Sequence, residues 1–243
     1  MLQDSEIQRM RGFGLQFQQG AAGYRFSIDP FLLCGFCRVA AAEMAVDLGT
    51  GVGVIPLLLT ARYGVQKCVG IEIQPQAAAL ARRNCLLNHL ERKVSIVEGD
   101  LRRHRELFAP QSFDIVVTNP PYRTRETGKT APDPERAAAR HELAGTLDDF
   151  IAAAAFLLKN GGRFHIVYLA ERLTDLLTTL RQKNIEPKRL RMVHSRLGDA
   201  ARLILVEGRR SGSPGLQVEA PLYVYEGNGY SAEVLACYGE MKG

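Results

Sequence analysis

The chain has 243 residues, 46% hydrophobic and 23% charged, which is the ordinary balance of a soluble globular protein and allows one large or two small domains. A formal net charge of +5 permits an anionic partner without requiring one. Residues 31–48, the longest apolar region, are broken by Arg38, Glu43 and Asp47, which excludes a membrane span, and residues 1–11 hold no apolar signal core.

Five cysteines, Cys34, Cys37, Cys68, Cys85 and Cys237, are odd in number and sit among apolar neighbours. They argue against a disulfide framework and for a reducing, cytoplasmic compartment. Residues 1–30 mix Gly, Gln and aromatics and predict a hairpin around residues 18–23. Asp29 followed by Pro30 fits a helix N-cap with proline at the first helical position, and the helix should run to about Ala42. Cys34 and Cys37 form a C-x-x-C, but no second pair follows at metal-ligand spacing, so they read as buried packing and no metal site is expected.

Residues 44–58 carry a short apolar strand into three alternate glycines, Gly49, Gly51 and Gly53, and then an apolar helix. Glycines allow a tight turn and close approach of a ligand to the backbone, and a helix start exposes N–H donors. The spacing G-x-G-x-G is not the G-x-G-x-x-G of a nicotinamide site, since position 54 is Val. A second strand, residues 67–73, places Glu72 at its tip, 21 residues after Gly51, where an acid can hold both hydroxyls of a ribose. A helix over 75–90 carries Asn84 and Asn88. The third strand, 94–100, ends in Asp100, which either accepts an adenine amine with Leu101 over the ring or serves as turn chemistry.

Residues 113–122 form the centre of the pattern: a buried strand ending in Asn119-Pro120-Pro121-Tyr122. The prolines stiffen the turn, and ligands of open α/β sheets bind at the carboxyl ends of strands. This set suits alkylation of an amino group on a conjugated carbon. Such a nitrogen is a poor nucleophile because its lone pair is delocalised. The Asn119 side-chain oxygen and the Pro120 carbonyl can take its two protons as fixed dipoles and favour a pyramidal nitrogen. Tyr122 offers a face for a base, and a Pro-rich strand cap with Tyr122 as packing is the alternative.

Residues 123–147 are polar and basic, with Arg123, Arg125, Lys129, Arg136, Arg140 and His141. They read as a loop able to contact phosphates, or as a solvated surface balanced by Glu126, Asp133, Glu135 and Glu142. A helix over 147–158, a turn at 159–162, a strand over 163–169 with a structural His165, and a helix over 170–183 follow. Strands 188–195 and 201–207 lie too close for a crossover helix and should pair antiparallel. An edge strand within 216–225 and a helix over 232–238 complete the chain. Arg189, Arg191, Arg196, Arg202, Arg209 and Arg210 form either a basic surface or charged guards on sheet edges.

The glycine run, the acids Glu72 and Asp100, and Asn119 to Tyr122 together resemble class I S-adenosylmethionine-dependent methyltransferases. That likeness implies a Rossmann-like α/β fold, a seven-stranded mostly parallel sheet with a terminal antiparallel strand pair, in a single domain with residues 1–43 as an extension. Residues 25–36, Arg140-His141-Glu142 and residues 221–230 bring the chain closer to the bacterial tRNA(Val) adenine-N6 methyltransferases, which modify the adenine next to the anticodon. The resemblance implies that Asn119, Pro120, Pro121 and Tyr122 hold the target base. Asp29, Asp47, Gly49, Thr50, Gly51, Gly53, Glu72, Ile73, Asp100, Leu101 and Asn119 would hold S-adenosylmethionine, and Tyr122, Arg123, Arg125, Lys129 and Arg140 would contact tRNA. The Asn-Pro-Pro-Tyr solution also suits protein glutamine-N5 methylation of a release factor and guanine-N2 methylation of ribosomal RNA. The former usually brings a separate N-terminal helical domain, for which about forty residues before the glycine strand leave no room. A cofactor-binding RNA chaperone and a nicotinamide dehydrogenase fit the motifs less well.

Overall fold

The structure, a computed structural model, describes residues 7–18, 27–121 and 145–240. It opens with an antiparallel hairpin of β1 (Ile7–Met10) and β2 (Leu15–Gln18), followed by α1 (Asp29–Phe36). The first half of the main sheet comprises β3 (Met44–Leu48), α2 (Val54–Tyr63), β4 (Lys67–Glu72), α3 (Pro75–Leu87), β5 (Val94–Glu98), the single turn α4 (His104–Leu107) and β6 (Phe113–Thr118). The second half comprises α5 (Leu147–Leu157), β7 (Leu158–Leu169), α6 (Leu173–Gln182), β8 (Ile185–His194) and β9 (Ala201–Arg210). Two short edge strands, β10 (Gln217–Val218) and β11 (Leu222–Tyr223), precede a second hairpin of β12 (Tyr225–Glu226) and β13 (Gly229–Tyr230), and then α7 (Ala232–Cys237).

The strand order is β10-β8-β9-β7-β6-β3-β4-β5, with β11 also on β8. Every pairing in this sheet is parallel except the two that β9 makes with β7 and β8. The seven expected strands are β3 to β9, and the two-residue β10 and β11 bring the sheet to nine. The order reverses between β3 and β6, which makes their carboxyl ends the place for a ligand crevice. One apolar cluster, with Phe31, Leu33, Leu57 and Leu59, covers one face under α1 and α2. The other, with Phe150, Ile151, Leu157, Leu176 and Leu180, covers the opposite face under α5 and α6.

Several boundaries differ from expectation for physical reasons. Ile28, not Asp29, occupies the N-cap of α1, and Asp29 is its first helical residue, where its negative charge complements the positive end of the helix dipole. The helix stops at Phe36 because tertiary donors take its last carbonyls: the Tyr63 hydroxyl reaches Cys34 O at 2.7 Å and Cys37 O at 3.0 Å, and Arg189 reaches Phe36 O at 3.3 Å. The N-terminal hairpin turns at residues 11–13; the turn expected at 18–23 falls mostly outside the described residues. The expected turn at 159–162 instead joins β7, with a register shift against β6 between Phe113 and Ile115.

The basic surface read into the C-terminal arginines is present only in part: Arg196, Arg202 and Arg209 are exposed, and the other three are wholly or partly buried. Arg189 is buried, bonding Glu207 at 2.5 Å and Glu219 at 2.7 Å with its guanidinium over the Phe36 ring. Arg191 pairs with Glu233, Arg209 donates to Gly161 O and Arg210 to Asn184 O. His165 is wholly buried, its Nε2 3.4 Å from Glu207, and burial lowers its pKa. All five cysteines are free and buried.

Candidate active site

Four strand tips meet at the crevice: β5, β4, β3 and β6, in that order. After β3 the chain passes through Gly49 (φ 74°), Gly51 (φ 58°) and Gly53 (φ 86°), left-handed conformations that side chains resist, before α2 begins. On the neighbouring strand Gly70 makes room for this loop: a Cβ there would stand 2.7 Å from the Thr50 side chain. Gly49 and Thr50 both donate to Ile71 O, at 3.0 and 2.9 Å, so the loop is pinned to the tip of β4.

Glu72 is buried at that tip rather than solvated. Its Oε2 accepts from Gly51 N at 2.8 Å and its Oε1 from Gln74 N at 2.9 Å. Each carboxylate oxygen accepts about two hydrogen bonds, so both keep capacity for a diol. Ile73 follows, partly buried. Asp47, at the end of β3, is fully buried and neither carboxylate oxygen has a hydrogen-bond partner. Burial pushes its carboxyl up to about 7, the nearby Glu72 adds to the rise, and the Thr50 side chain opposes it. An unpartnered buried acid beside a glycine loop fits a site for a polar or cationic group.

Asp100 is engaged differently from expectation. It caps the short turn at residues 101–103 by accepting from Arg102 N at 2.9 Å, and the Arg102 guanidinium grips both its oxygens, Nη2 to Oδ2 at 2.6 Å. That hydrogen bonding holds its carboxyl below the usual range. The turn reading is therefore present, and an adenine amine would compete with Arg102 for the same oxygens. Leu101 is buried against the α5 face of the sheet.

Thr118 ends β6, fully buried, and donates from Oγ1 to Leu48 O at 2.8 Å. Leu48 and Thr118 are register partners, so the next residues, Gly49 and Asn119, leave the sheet side by side. Asn119 is half-buried, Pro120 buried and Pro121 exposed. Asp29 is nearly buried at the start of α1. The structure thus gathers Asp47, Gly49, Thr50, Gly51, Gly53, Glu72 and Asn119 at adjoining strand tips, with Asp100 one strand further on. Tyr122, Arg123, Arg125, Lys129, Arg140 and His141 lie outside the described residues.

Asn84, which no sequence motif marks, also shapes the site. It is fully buried, donating to Val52 O in the glycine loop at 2.9 Å and to Gln18 O at 3.2 Å while accepting from Gln18 N at 2.8 Å. Asn88 repeats the pairing on Gln16, at 2.8 and 2.7 Å. Together they tie β2 to the loop. The visible signal was two amides four apart on the apolar face of an Ala-rich helix.

This sheet order, with a glycine loop after the first strand and an acid at the tip of the second, defines a class I methyltransferase that uses S-adenosylmethionine. The family model for the methyltransferase small domain matches residues 31–183. A tRNA1(Val) (adenine(37)-N6)-methyltransferase of Porphyromonas gingivalis is 32% identical over 198 residues, 79% of this chain and 74% of that protein. One of the same name from Tolumonas auensis is 27% identical, covering 92% of each. A predicted O-methyltransferase from Agrobacterium tumefaciens has the same fold, with a TM-score of 0.72 at 20% identity over 88% of this chain and 97% of its own. The chain belongs to the methyltransferase small domain family and, within it, to the tRNA1(Val) adenine-N6 methyltransferases. No helix among the described residues is long and apolar enough to cross a membrane.

Proposed function

We propose that this enzyme methylates N6 of adenine 37 in a tRNA1(Val), in the cytoplasm, with the whole chain acting as one catalytic domain. The observation that carries the reading is the Thr118–Leu48 bond, which fixes the Asn119-Pro120 tip beside the glycine loop. When bound, S-adenosylmethionine supplies an electrophilic methyl group on a sulfonium. Glu72 would hold its ribose, the glycine loop would admit its backbone-facing side, and Asp47 would face its charged end. Asp29, Ile73, Asp100 and Leu101 complete the binding set.

The Asn119 side-chain oxygen and the Pro120 carbonyl accept hydrogen bonds from the two N6–H groups of the adenine, and Tyr122 stacks on its ring. Nitrogen then presents its lone pair; as the N6–methyl bond forms and the donor's sulfur–methyl bond breaks to leave a neutral thioether, the amino proton would become acidic and pass to water, so no general base is needed to start. The protein's contribution is alignment, with effective molarities on the order of 10⁵ M or more for well-oriented groups. The target adenine in a single-stranded loop costs little to extrude. Arg123, Arg125, Lys129 and Arg140 would hold the neighbouring phosphates.

Incubation with methyl-labelled S-adenosylmethionine and either total tRNA or a release factor tests this. Digestion should return N6-methyladenosine from a valine tRNA. Label in methylglutamine or in N2-methylguanosine would replace the reading with another.

A further inference from the structure

Four aromatic rings form a continuous stack from the core to the surface. Phe31 lies 4.4 Å from Tyr238 at 21°, Tyr238 lies 5.8 Å from Tyr230 at 19°, and Tyr230 lies 5.4 Å from Tyr225 at 16°. The Arg196 guanidinium caps the outer end, 5.3 Å from the Tyr225 centroid. Phe31 is fully buried, whereas Tyr225 and Tyr230 are 40% and 38% exposed. The inner end anchors the stack; each ring face is covered by the next ring or by Arg196, so the outer rings show their edges to solvent and the far side of the Arg196 guanidinium closes the stack in a fixed orientation.

Their position relative to the site follows from the sheet. Because β9 is antiparallel to both β7 and β8, and β7 is parallel to β6, the carboxyl ends of β8 and β6 share one rim. Tyr225 N donates to Ser195 O just beyond β8, which sets the tyrosine hairpin on that rim. It continues the line of β11 and so stands four inter-strand steps from Asn119, about 19 Å across the sheet. One folded RNA can touch both places. Arg196, in the turn between β8 and β9, places its guanidinium over an exposed ring, and a neutral carbonyl, Gly227 O at 2.5 Å, holds it rather than a carboxylate. Its charge therefore remains available to an anion, and its plane to a base.

We propose that Arg196, Tyr225 and Tyr230 form a second RNA contact, in which an unpaired base of the substrate stacks on the outer plane of the Arg196 guanidinium, backed by the two rings, while the N–H edge of Arg196 meets an adjacent phosphate. Stacked aromatic and guanidinium planes are the surface that single-stranded RNA recognition uses. The inference rests on the tRNA reading above and extends it from the reacting nucleotide to a second one.

The chain contains no tryptophan, so Tyr225→Trp introduces a single fluorophore into the stack. We expect tRNA to quench its emission saturably while its tRNA KM stays near wild type. Tyr225→Ala removes the ring that holds the guanidinium plane in place and should raise the tRNA KM roughly fivefold to a hundredfold, the range for losing one base-stacking plane, with kcat and cofactor Kd unchanged. Arg196→Ala should raise the same KM and flatten its salt dependence. Unchanged cofactor Kd and melting temperature show that the variants fold. If the wild type methylates tRNA but the tryptophan ignores it and Tyr225→Ala keeps the wild-type KM, the second contact is wrong and the function stands. If the wild type neither binds nor methylates tRNA, both are wrong.

Discussion

Asp47 carries an unusual load for a single side chain. Its carboxyl has an ordinary value of 3.8 but is raised to about 7 in the fold, mainly by burial. The native state therefore holds a proton that the unfolded chain has released, and stability falls as pH rises from about 4 through 7. We expect Asp47→Asn to match the wild type in thermal melts near pH 4 and to exceed it at pH 8, while losing cofactor affinity by calorimetry. Coincident pH profiles would show that burial costs the carboxylate nothing. Arg102 poses the converse case, because it occupies the oxygens of Asp100. If Asp100 receives the adenine of the cofactor, Arg102→Ala should tighten cofactor binding several-fold and Asp100→Ala should weaken it. Weakening by both would make Asp100 only a cap.

At the scale of elements, two small devices position the crevice. Thr118 locks the tip of β6 to β3, and Asn84 with Asn88 fastens the N-terminal hairpin to the glycine loop. Hydrogen exchange reads the second directly. Asn84→Ala should deprotect the Gln18 amide and Asn88→Ala the Gln16 amide, with the strands of the main sheet unaffected. Each change removes side-chain hydrogen bonds to backbone groups of β2, at a cost of about 1–3 kcal/mol. Wild-type exchange in both variants would mean that other contacts hold the hairpin. The strands and most helices were legible in the sequence because their apolar runs and turn residues are local signals. The end of α1 was not, since Tyr63 and Arg189, remote in sequence, supply its caps.

Across the whole molecule, a row of side chains runs through the sheet at one level: Asp47, Val117, His165, Glu207 and Arg189 are successive register partners. Arg189 at its far end and the nearby Arg191 look like part of a basic surface in the sequence because their partners, Glu207 on β9, Glu219 just after β10 and Glu233 on α7, are remote along the chain. Although burial alone would raise the Glu207 carboxyl, His165 and Arg189 hold it down at about 2. It therefore contributes stability above its ordinary value of 4.5, lost as pH falls from there towards 2. Glu207→Leu should remove that acid dependence and, by stranding Arg189, cost about 3–5 kcal/mol in urea melts. A melt like the wild type's would mean that Glu219 alone satisfies Arg189.

The site was more legible than this network because each motif occupies one short stretch at one strand tip. What sequence could not supply was the bonding of Asp100 to Arg102 and of Glu72 to the glycine loop, which depend on the folded backbone.

The central claim is that the Asn119 tip activates an inert amine beside the cofactor. Single-turnover methylation by Asn119→Ala, measured together with cofactor binding by calorimetry, tests it most directly. The account predicts that methyl transfer to tRNA is abolished while cofactor Kd stays within a few-fold of wild type. Transfer at the wild-type rate, or an equal loss of cofactor affinity, would contradict it.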